Sequence, residues 1–428
     1  MIWRNGTFRL LFGAQVISLL GSGVTTVGLA LYAYRLTGGV AATAVLGNAL
    51  MLRILAFLIF SQPAGVLADR IDRKRILVAA DLLRFGLVAL FPFVTSVWQI
   101  YAMVFVVNAI TAFFTPTFEA TLPSVVGNDG YVKALAWSRV ATDVEAVGAP
   151  ALAAILVASS GVRWLFWFDA ATYLASAALV VSASFPGVAA NPQPFSARAF
   201  LSDLTHGTRI LFREPSLRQA LLMSIAEATA GSCAIVLTVG YARDVLERGE
   251  TAAALLMATV GVGSTAAALV LGRATGRYEM GTRDPAVLHG RRHRWSRAGL
   301  IGGGALLSVS LLPGALQPAL VAFAVLWLLN GTGQALIAIP SSTLLAEHAG
   351  ETERGRAYAA HFAWTHAFWL ASYPAIGHAA ARWGVPRTLT GAGCACAVVV
   401  LVATLVGRGA ATNHLHGRDQ GAESTPLR

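Results

Sequence analysis

Long apolar runs, separated by short polar segments, follow one another along almost the whole chain. A helix that spans a membrane needs about 20 consecutive, mostly apolar residues, and twelve runs approach or exceed that length. They cover residues 8–34, 43–66, 74–95, 98–122, 134–158, 164–184, 216–241, 251–271, 297–312, 316–345, 357–380 and 385–406. The ninth run is the weakest, because a triple glycine at 302–304 and Pro313 shorten it. The pattern predicts an all-α polytopic membrane protein with twelve transmembrane helices.

The composition excludes several other classes of protein. Apolar residues make up 56% of the 428 residues and charged residues only 12%, which is about half the charged share of ordinary soluble domains. The three cysteines, Cys233, Cys394 and Cys396, lie inside apolar runs, so we interpret them as small core residues rather than metal or redox ligands. A soluble enzyme, a disordered chain and a disulfide-linked secreted domain are excluded. The chain has no nucleotide-binding or hydrolase motif, so we expect no enzyme activity, cofactor or metal.

The basic residues lie mostly on one side of the predicted topology. With twelve spans the loops alternate between the two sides, and the side of the N-terminus carries about four times as many Lys and Arg residues as the other. Arg53 and Arg84 lie well inside spans and are left out of this count. Short cytoplasmic loops carry such an excess of positive charge, so the sequence predicts two cytoplasmic termini in a cell membrane. This topology accounts for the net charge of +11 without a nucleic-acid partner.

Residues 186–215 form the longest polar stretch in the middle of the chain. Within it, several apolar residues share one helical face, namely Phe200, Leu201, Leu204, Leu211 and Phe212. Such an amphipathic segment is typical of a helix that lies on the inner leaflet. The predicted organisation is an N-terminal six-helix half (1–185), a cytoplasmic linker with an amphipathic helix (186–215), a C-terminal six-helix half (216–407) and a cytoplasmic tail (408–428).

The loop between the second and third spans carries a recognisable motif. Residues 65–75 read GVLADRIDRKR, which resembles the G-x-x-x-D-R-x-G-R-R/K loop of the major facilitator superfamily, with Asp72 in place of the second glycine. The resemblance implies the fold of that family and a conformational latch at this loop. We expect the latch to be formed by Gly65, Asp69, Arg70 and Arg73, with Glu119 at the end of the fourth span as partner. The alternative is a basic cluster that only orients the chain in the membrane.

The fifth span contains a second motif. Residues 149–156 read APALAAIL, which resembles the G-P-x-x-G-G motif of exporter branches, with alanine in place of glycine. Ala149, Pro150, Ala153 and Ala154 are the matching residues, and small residues let two helices approach closely. Ordinary small-residue packing is the alternative. Over residues 8–185 the chain resembles the twelve-helix drug:proton antiporter branch, which includes macrolide exporters and a siderophore exporter. The second half matches mainly in its number of helices.

The resemblance implies a secondary active transporter that works by alternating access. We expect proton-coupled efflux of a bulky organic compound such as a drug, an antibiotic or a secondary metabolite. The expected partners are a small-molecule substrate, protons and the lipid bilayer, and the expected state is a monomer. A proton-coupled importer of a nutrient or siderophore is one alternative. A membrane enzyme or receptor that transports nothing is another, but it would need a catalytic constellation or a sizeable soluble domain.

Four charged residues within or near the spans are candidates for proton coupling. A charge at the centre of the bilayer costs about 2.5–3.5 kcal/mol on insertion scales, so it needs a partner or a wet cavity. Glu227 lies near the middle of the seventh span, and the family resemblance implies that this span lines the central cavity. Arg53 is expected to pair with Asp143 or Glu145, although a structural role is the alternative for all four. Asp169, in the sixth span, is interpreted as a packing residue.

Overall fold

The computed structural model describes residues 2–68, 71–184, 197–280, 285–349 and 353–422, and within them every regular element is a helix. The α-helices are α1 (Gly6–Thr37), α2 (Ala41–Ala68), α3 (Arg73–Leu90), α4 (Val97–Val126), α5 (Asn128–Ser160), α6 (Arg163–Ser182), α7 (Ala197–Arg213), α8 (Pro215–Val236), α9 (Thr238–Gly240), α10 (Glu250–Met280), α11 (Pro285–Leu311), α12 (Leu320–His348), α13 (Arg354–Trp383) and α14 (Val385–Ala422). The short α9 and a π-helical turn, Tyr241–Val245, continue the chain directly after α8.

The predicted all-α polytopic fold is confirmed. Eleven of the described helices are long and apolar enough to cross a membrane, and they match all the predicted spans but the eleventh. The helix at that position is α13, which has 30 residues but too little hydropathy to satisfy the same criterion. Its polar residues explain the difference, because His361, Thr365 and His366 line a cavity between the helices instead of facing lipid.

The expectation that glycines shorten the ninth span is wrong. Helix α11 continues through all three of them to Leu311. The reason is a close crossing with α12. A Cβ atom on Gly303 would lie 2.8 Å from the carbonyl oxygen of Gly333, and a Cβ atom on Gly333 would lie 2.8 Å from the carbonyl oxygen of Gly303. Two helix backbones can approach this closely only where side chains are absent. Gly303 therefore packs α11 against α12, and the triple glycine does not end the helix.

The helices alternate in direction, so the bundle has two faces. At the face where α1 begins, the terminal face, the Asn5 side chain donates to the carbonyl of Val125 at the end of α4 (2.8 Å). At the other face, the opposite face, Tyr32 near the end of α1 donates to the carbonyl of Val94 just before α4 (2.7 Å). These contacts at both ends of α1 show that α1 and α4 run in opposite directions.

The amphipathic linker helix α7 packs on the protein. The apolar side chain of Leu211 is 1% exposed, and a Cβ atom on Gly207 would overlap the carbonyl oxygen of Arg356 in α13. Asp203 pairs with Arg356 at 2.9 Å. The helix therefore lies against the first turns of α13, a contact that the sequence did not predict. The side chains of Phe200 and Leu201 lie outside those that the structure describes.

Candidate functional site

A large cavity lies between helices of the two halves of the chain. Its volume is about 930 Å³, and it is lined by α1, α2 and α5 on one side and by α8, α10, α12 and α13 on the other. We call it the central cavity. Its lining reaches Leu345 and Tyr358, close to the terminal ends of α12 and α13. The central cavity therefore extends from the middle of the bundle toward the terminal face.

Three of the charged candidates line the central cavity, namely Arg53, Glu145 and Glu227. Arg53 donates to the hydroxyl of Thr26 (3.3 Å). Among the described side chains no ion pair within 4.0 Å joins Arg53 to Glu145. The fourth candidate, Asp143, lies in α5, but its side chain is outside the described residues. The cavity thus holds two carboxyl groups and one guanidinium that are contributed by both halves.

Aromatic side chains of α13 form one wall of the central cavity. They are Tyr358, Phe362, Trp369 and Tyr373. A Cβ atom on Gly231 of α8 would overlap the Trp369 ring, so the absence of a side chain at Gly231 makes room for this indole. Pockets for organic ligands are mostly apolar and carry a few polar groups. The wall and the charged residues together suit an amphiphilic organic molecule.

The two halves meet at the opposite face. Arg35, at the end of α1, binds the carboxylate of Glu250 in α10 through two hydrogen bonds of 2.5 and 2.7 Å. The neighbouring Tyr34 donates to the carboxylate of Asp244. We call these four residues the opposite-face seam. The seam joins the two halves on the side away from the terminal face, so the central cavity opens toward the terminal face in this conformation.

A second inter-half contact lies beside this seam. The hydroxyl of Thr43 in α2 donates to the carbonyl of Gly377 in α13 (3.0 Å). A Cβ atom on Gly47 would overlap the carbonyl oxygen of Tyr373. The helices α2 and α13 therefore touch backbone to backbone between the opposite face and the central cavity.

The motif loop between α2 and α3 is described only in part. Gly65 lies in the last turns of α2, and Asp69 and Arg70 lie outside the described residues. Arg73 donates to the carbonyl of Ala120 (2.6 Å), the residue after Glu119, so it reaches the end of α4 where the sequence placed its partner. The departure from the motif at position 72 has a local reason. Asp72 caps α3 by accepting a hydrogen bond from the backbone N–H of Arg75 (3.1 Å).

The small residues of α5 lie at a helix crossing. Ala149, Ala153 and Ala154 are at most 3% exposed. A Cβ atom on Gly23 of α1 would lie 2.5 Å from the Cβ atom of Ala149, so α1 and α5 approach through two small residues. Pro150 lies within α5 and lines the central cavity. The motif therefore contributes to helix packing and to the cavity wall.

A buried ionic network in the N-terminal half was missed at the sequence level. Arg84, 2% exposed, bonds to Asp81, which is fully buried. The guanidinium lies over the rings of Phe114 and Tyr173, 4.3 and 4.4 Å from their centroids, an arrangement that favours a cation. The signal in the sequence was a base three residues after an acid within an apolar span, a spacing that places both on one helix face.

Arg84 also lines a second cavity, which lies within the N-terminal half. Its volume is about 410 Å³, and α1 to α6 all contribute to its lining. We call it the N-half cavity. Arg53 and Glu145 line both cavities, so they lie at the boundary between them. Among the described residues no group of three or more His, Cys, Asp and Glu side chains is arranged to hold a metal ion.

The comparisons with known proteins agree on one family. A family model described as the Major Facilitator Superfamily matches residues 11–289, which is well over half of the chain. Macrolide efflux protein A of Streptococcus pyogenes is 25% identical over 221 residues, which cover 50% of this chain and 54% of that protein. The chain thus spans about half the length of the curated relatives it matches.

Solved structures share the whole fold. The inward-facing, unoccupied structure of a bacterial homologue of the human lysosomal transporter Spinster gives a TM-score of 0.71 at 13% identity and covers 96% of this chain and 97% of its own. A mutant form of the nucleoside transporter NupG gives 0.73 at 11% identity, with 94% of this chain and 99% of that chain covered. At such identities the similarity establishes the fold.

Proposed function

The chain belongs to the Major Facilitator Superfamily and is a multi-pass membrane transporter, and we propose that it exports a bulky amphiphilic organic compound in exchange for protons. The central cavity carries the proposal. It combines an aromatic wall with carboxyl groups from both halves of the chain. The macrolide efflux protein among its relatives supports export as the direction and drug-sized molecules as the substrate class.

The proposed cycle assigns a task to each half. The N-terminal half (1–185) and the C-terminal half (216–407) rock about the central cavity. Glu227, in α8, binds a proton and releases it when a cationic or polar group of the substrate arrives. Arg53 and Glu145 hold the polar end of the substrate on the side of the N-terminal half, and the α13 aromatic residues contact its apolar body.

The opposite-face seam and the motif loop are the two gates of the proposed cycle. The seam keeps the outer side closed while the central cavity loads from the terminal face. Asp69, Arg70 and Arg73 then latch the terminal face when the cavity opens outward. The distribution of basic residues supports a cytoplasmic location for the terminal face, in the cytoplasmic membrane of the cell.

Accumulation of radiolabelled erythromycin in a bacterial host that lacks its own drug pumps tests this function. Cells that express the protein should accumulate less erythromycin than cells with an empty vector, and a protonophore should abolish the difference. Glu227→Gln, expressed at the same level, should resemble the empty vector. Higher accumulation than in the vector control would show import. Equal accumulation in wild type and vector, also with ethidium as a second probe, would contradict drug efflux.

A further inference from the structure

The N-half cavity has unsatisfied polar atoms in its wall. Three of its lining side chains have a buried polar atom that finds no hydrogen-bond partner in the described part of the chain, namely Thr25 Oγ1, Arg84 Nε and Asp169 Oδ2. Buried polar atoms of native proteins are nearly always hydrogen-bonded to protein or water. The hydroxyl of Thr25 lies near the carboxyl group of Asp169 and interacts with it, whereas Arg84 Nε indicates that the cavity holds a polar species such as water, for which it has ample room.

Of the two aspartates in this region, only Asp81 has an ion-pair partner among the described residues. Asp81 bonds to Arg84 and accepts a second hydrogen bond from Ser176 (2.7 Å). Asp169 is fully buried, and its Oδ1 atom lies 3.3 Å from the hydroxyl of Thr172. No base in the described residues forms an ion pair with it. Arg84 has Asp81 as its ion-pair partner, so no base at ion-pairing distance offsets a charge on Asp169, and burying such a charge is costly.

Glu145 connects Asp169 to the central cavity. Both carboxyl groups line the N-half cavity, and Glu145 also lines the central one. They lie against the same turn of α1 but on different sides of it, because residues two apart on a helix face different directions. A Cβ atom on Gly21 would overlap Asp169 Oδ1, and one on Gly23 would lie 3.2 Å from Glu145 Oε1. The missing side chains at these two glycines keep α1 from filling the space beside either carboxyl group.

We propose that Asp169 is a proton-holding site of the N-terminal half and exchanges its proton with Glu145 across the N-half cavity. In the transfer the proton leaves the carboxyl group of Asp169 and binds the carboxylate of Glu145, and no other bond changes. The proposal rests on the proton-coupled function proposed above. It adds a second proton-binding site, because Glu227 lies in α8 on the far side of the central cavity.

Other ionisable groups surround Asp169 on the neighbouring helices. Those that line the N-half cavity are Arg53 of α2, Arg84 of α3, Glu119 of α4, Glu145 of α5 and Tyr173 of α6. Asp81 of α3 is bound to Arg84 beside the cavity. The lining residues of α1 carry hydroxyl, amide and aliphatic groups only. Because Asp81 holds Arg84, Glu145 is the acid that both borders the central cavity and shares a turn of α1 with Asp169.

Infrared difference spectroscopy of the purified protein in lipid tests the protonation directly. The wild type at pH 7 should show the C=O stretching bands of protonated carboxyl groups, and Asp169→Asn should lose one band that Glu227→Gln retains. Asp81→Asn is the matched control, because it removes another buried aspartate of the same region. It should keep the band but melt at a lower temperature, since it leaves Arg84 without its counter-charge. Asp169→Asn, which replaces a neutral acid by a neutral amide, should melt like the wild type.

The opposite results would overturn the proposal. They are carboxyl bands in Asp169→Asn that are all the same as in the wild type, or a large loss of thermal stability in that variant. Glu145→Gln provides a second test of the proposal. This variant should keep the band, but after a pH jump the band should disappear at least tenfold more slowly than in the wild type. An unchanged rate would contradict exchange through Glu145. Erythromycin-dependent proton flux in wild-type proteoliposomes is measured in parallel, so a failure of coupling is seen separately from a failure of the Asp169 site.

Discussion

The opposite-face seam makes a quantitative prediction about the conformational equilibrium. Tyr34→Phe together with Glu250→Gln removes the hydroxyl bond to Asp244 and the ion pair with Arg35. The side chain of Arg35 is 44% exposed and that of Glu250 is 16% exposed, so the ion pair contributes about 1 kcal/mol, the upper end for such pairs. The hydrogen bond to Asp244 adds about 1 kcal/mol. Together they favour the terminal-facing state by about 2 kcal/mol, or about 30-fold in population.

Cysteine labelling from outside the cell measures this shift. Ile235, which lines the central cavity on α8, is replaced by Cys in a Cys394→Ala background, because Cys394 is exposed and the other two cysteines are buried. A membrane-impermeant maleimide added to intact cells should react up to about 30-fold faster with the double variant than with the parent. The rate follows the fraction of outward-open protein while that fraction is small.

Glu247→Gln is the matched control for this experiment. It makes the same charge change three residues before Glu250, but the side chain of Glu247 is exposed and forms no ion pair with another described residue. Its labelling rate should equal that of the parent. If the double variant also labels at the parental rate, the seam does not hold the outer side closed and the assignment of this conformation is refuted.

Two further predictions concern the latch and the helix crossings. Asp69→Asn should keep the fold and expression but slow erythromycin efflux by at least tenfold, and normal kinetics in that variant would remove the latch from the mechanism. Gly331→Ala should destabilise the protein by about 1–3 kcal/mol or more, because the new Cβ atom would overlap the carbonyl oxygen of Val260. Gly302→Ala has nothing within 4 Å of its new Cβ atom, so its melting temperature should match or exceed that of the wild type. Equal melting temperatures of the two variants would contradict the close crossing of α10 and α12.

The sequence was sufficient for the helices but not for all their contacts. Apolar length reports directly on spans, so the spans and their order could be predicted. The triple glycine was misread because a glycine that breaks a helix and one that packs it against a neighbour look alike in the sequence. Only the partner of Gly303, which is Gly333 of α12, distinguishes the two cases, and it is distant along the chain.

The site could be predicted only residue by residue. Intramembrane charge indicated Glu227, Glu145 and Arg53 as unusual, and all three line the central cavity. Their grouping could not be predicted, because it depends on how the helices rotate about their axes. Asp169 was interpreted as a packing residue. Two features that suggest a further role for Asp169 are visible only in the structure. Glycines of α1 leave space beside its carboxyl group, and it lines the same cavity as Glu145.

The most direct test of proton-coupled export is proton movement that depends on substrate. Purified protein is reconstituted into liposomes with a pH-sensitive dye inside, and erythromycin is added under an imposed proton gradient. We expect proton flux that requires erythromycin and is lost in Glu227→Gln, while Glu247→Gln retains it. Erythromycin movement that ignores the gradient, or flux that is unchanged in Glu227→Gln, would contradict proton-coupled export through the central cavity.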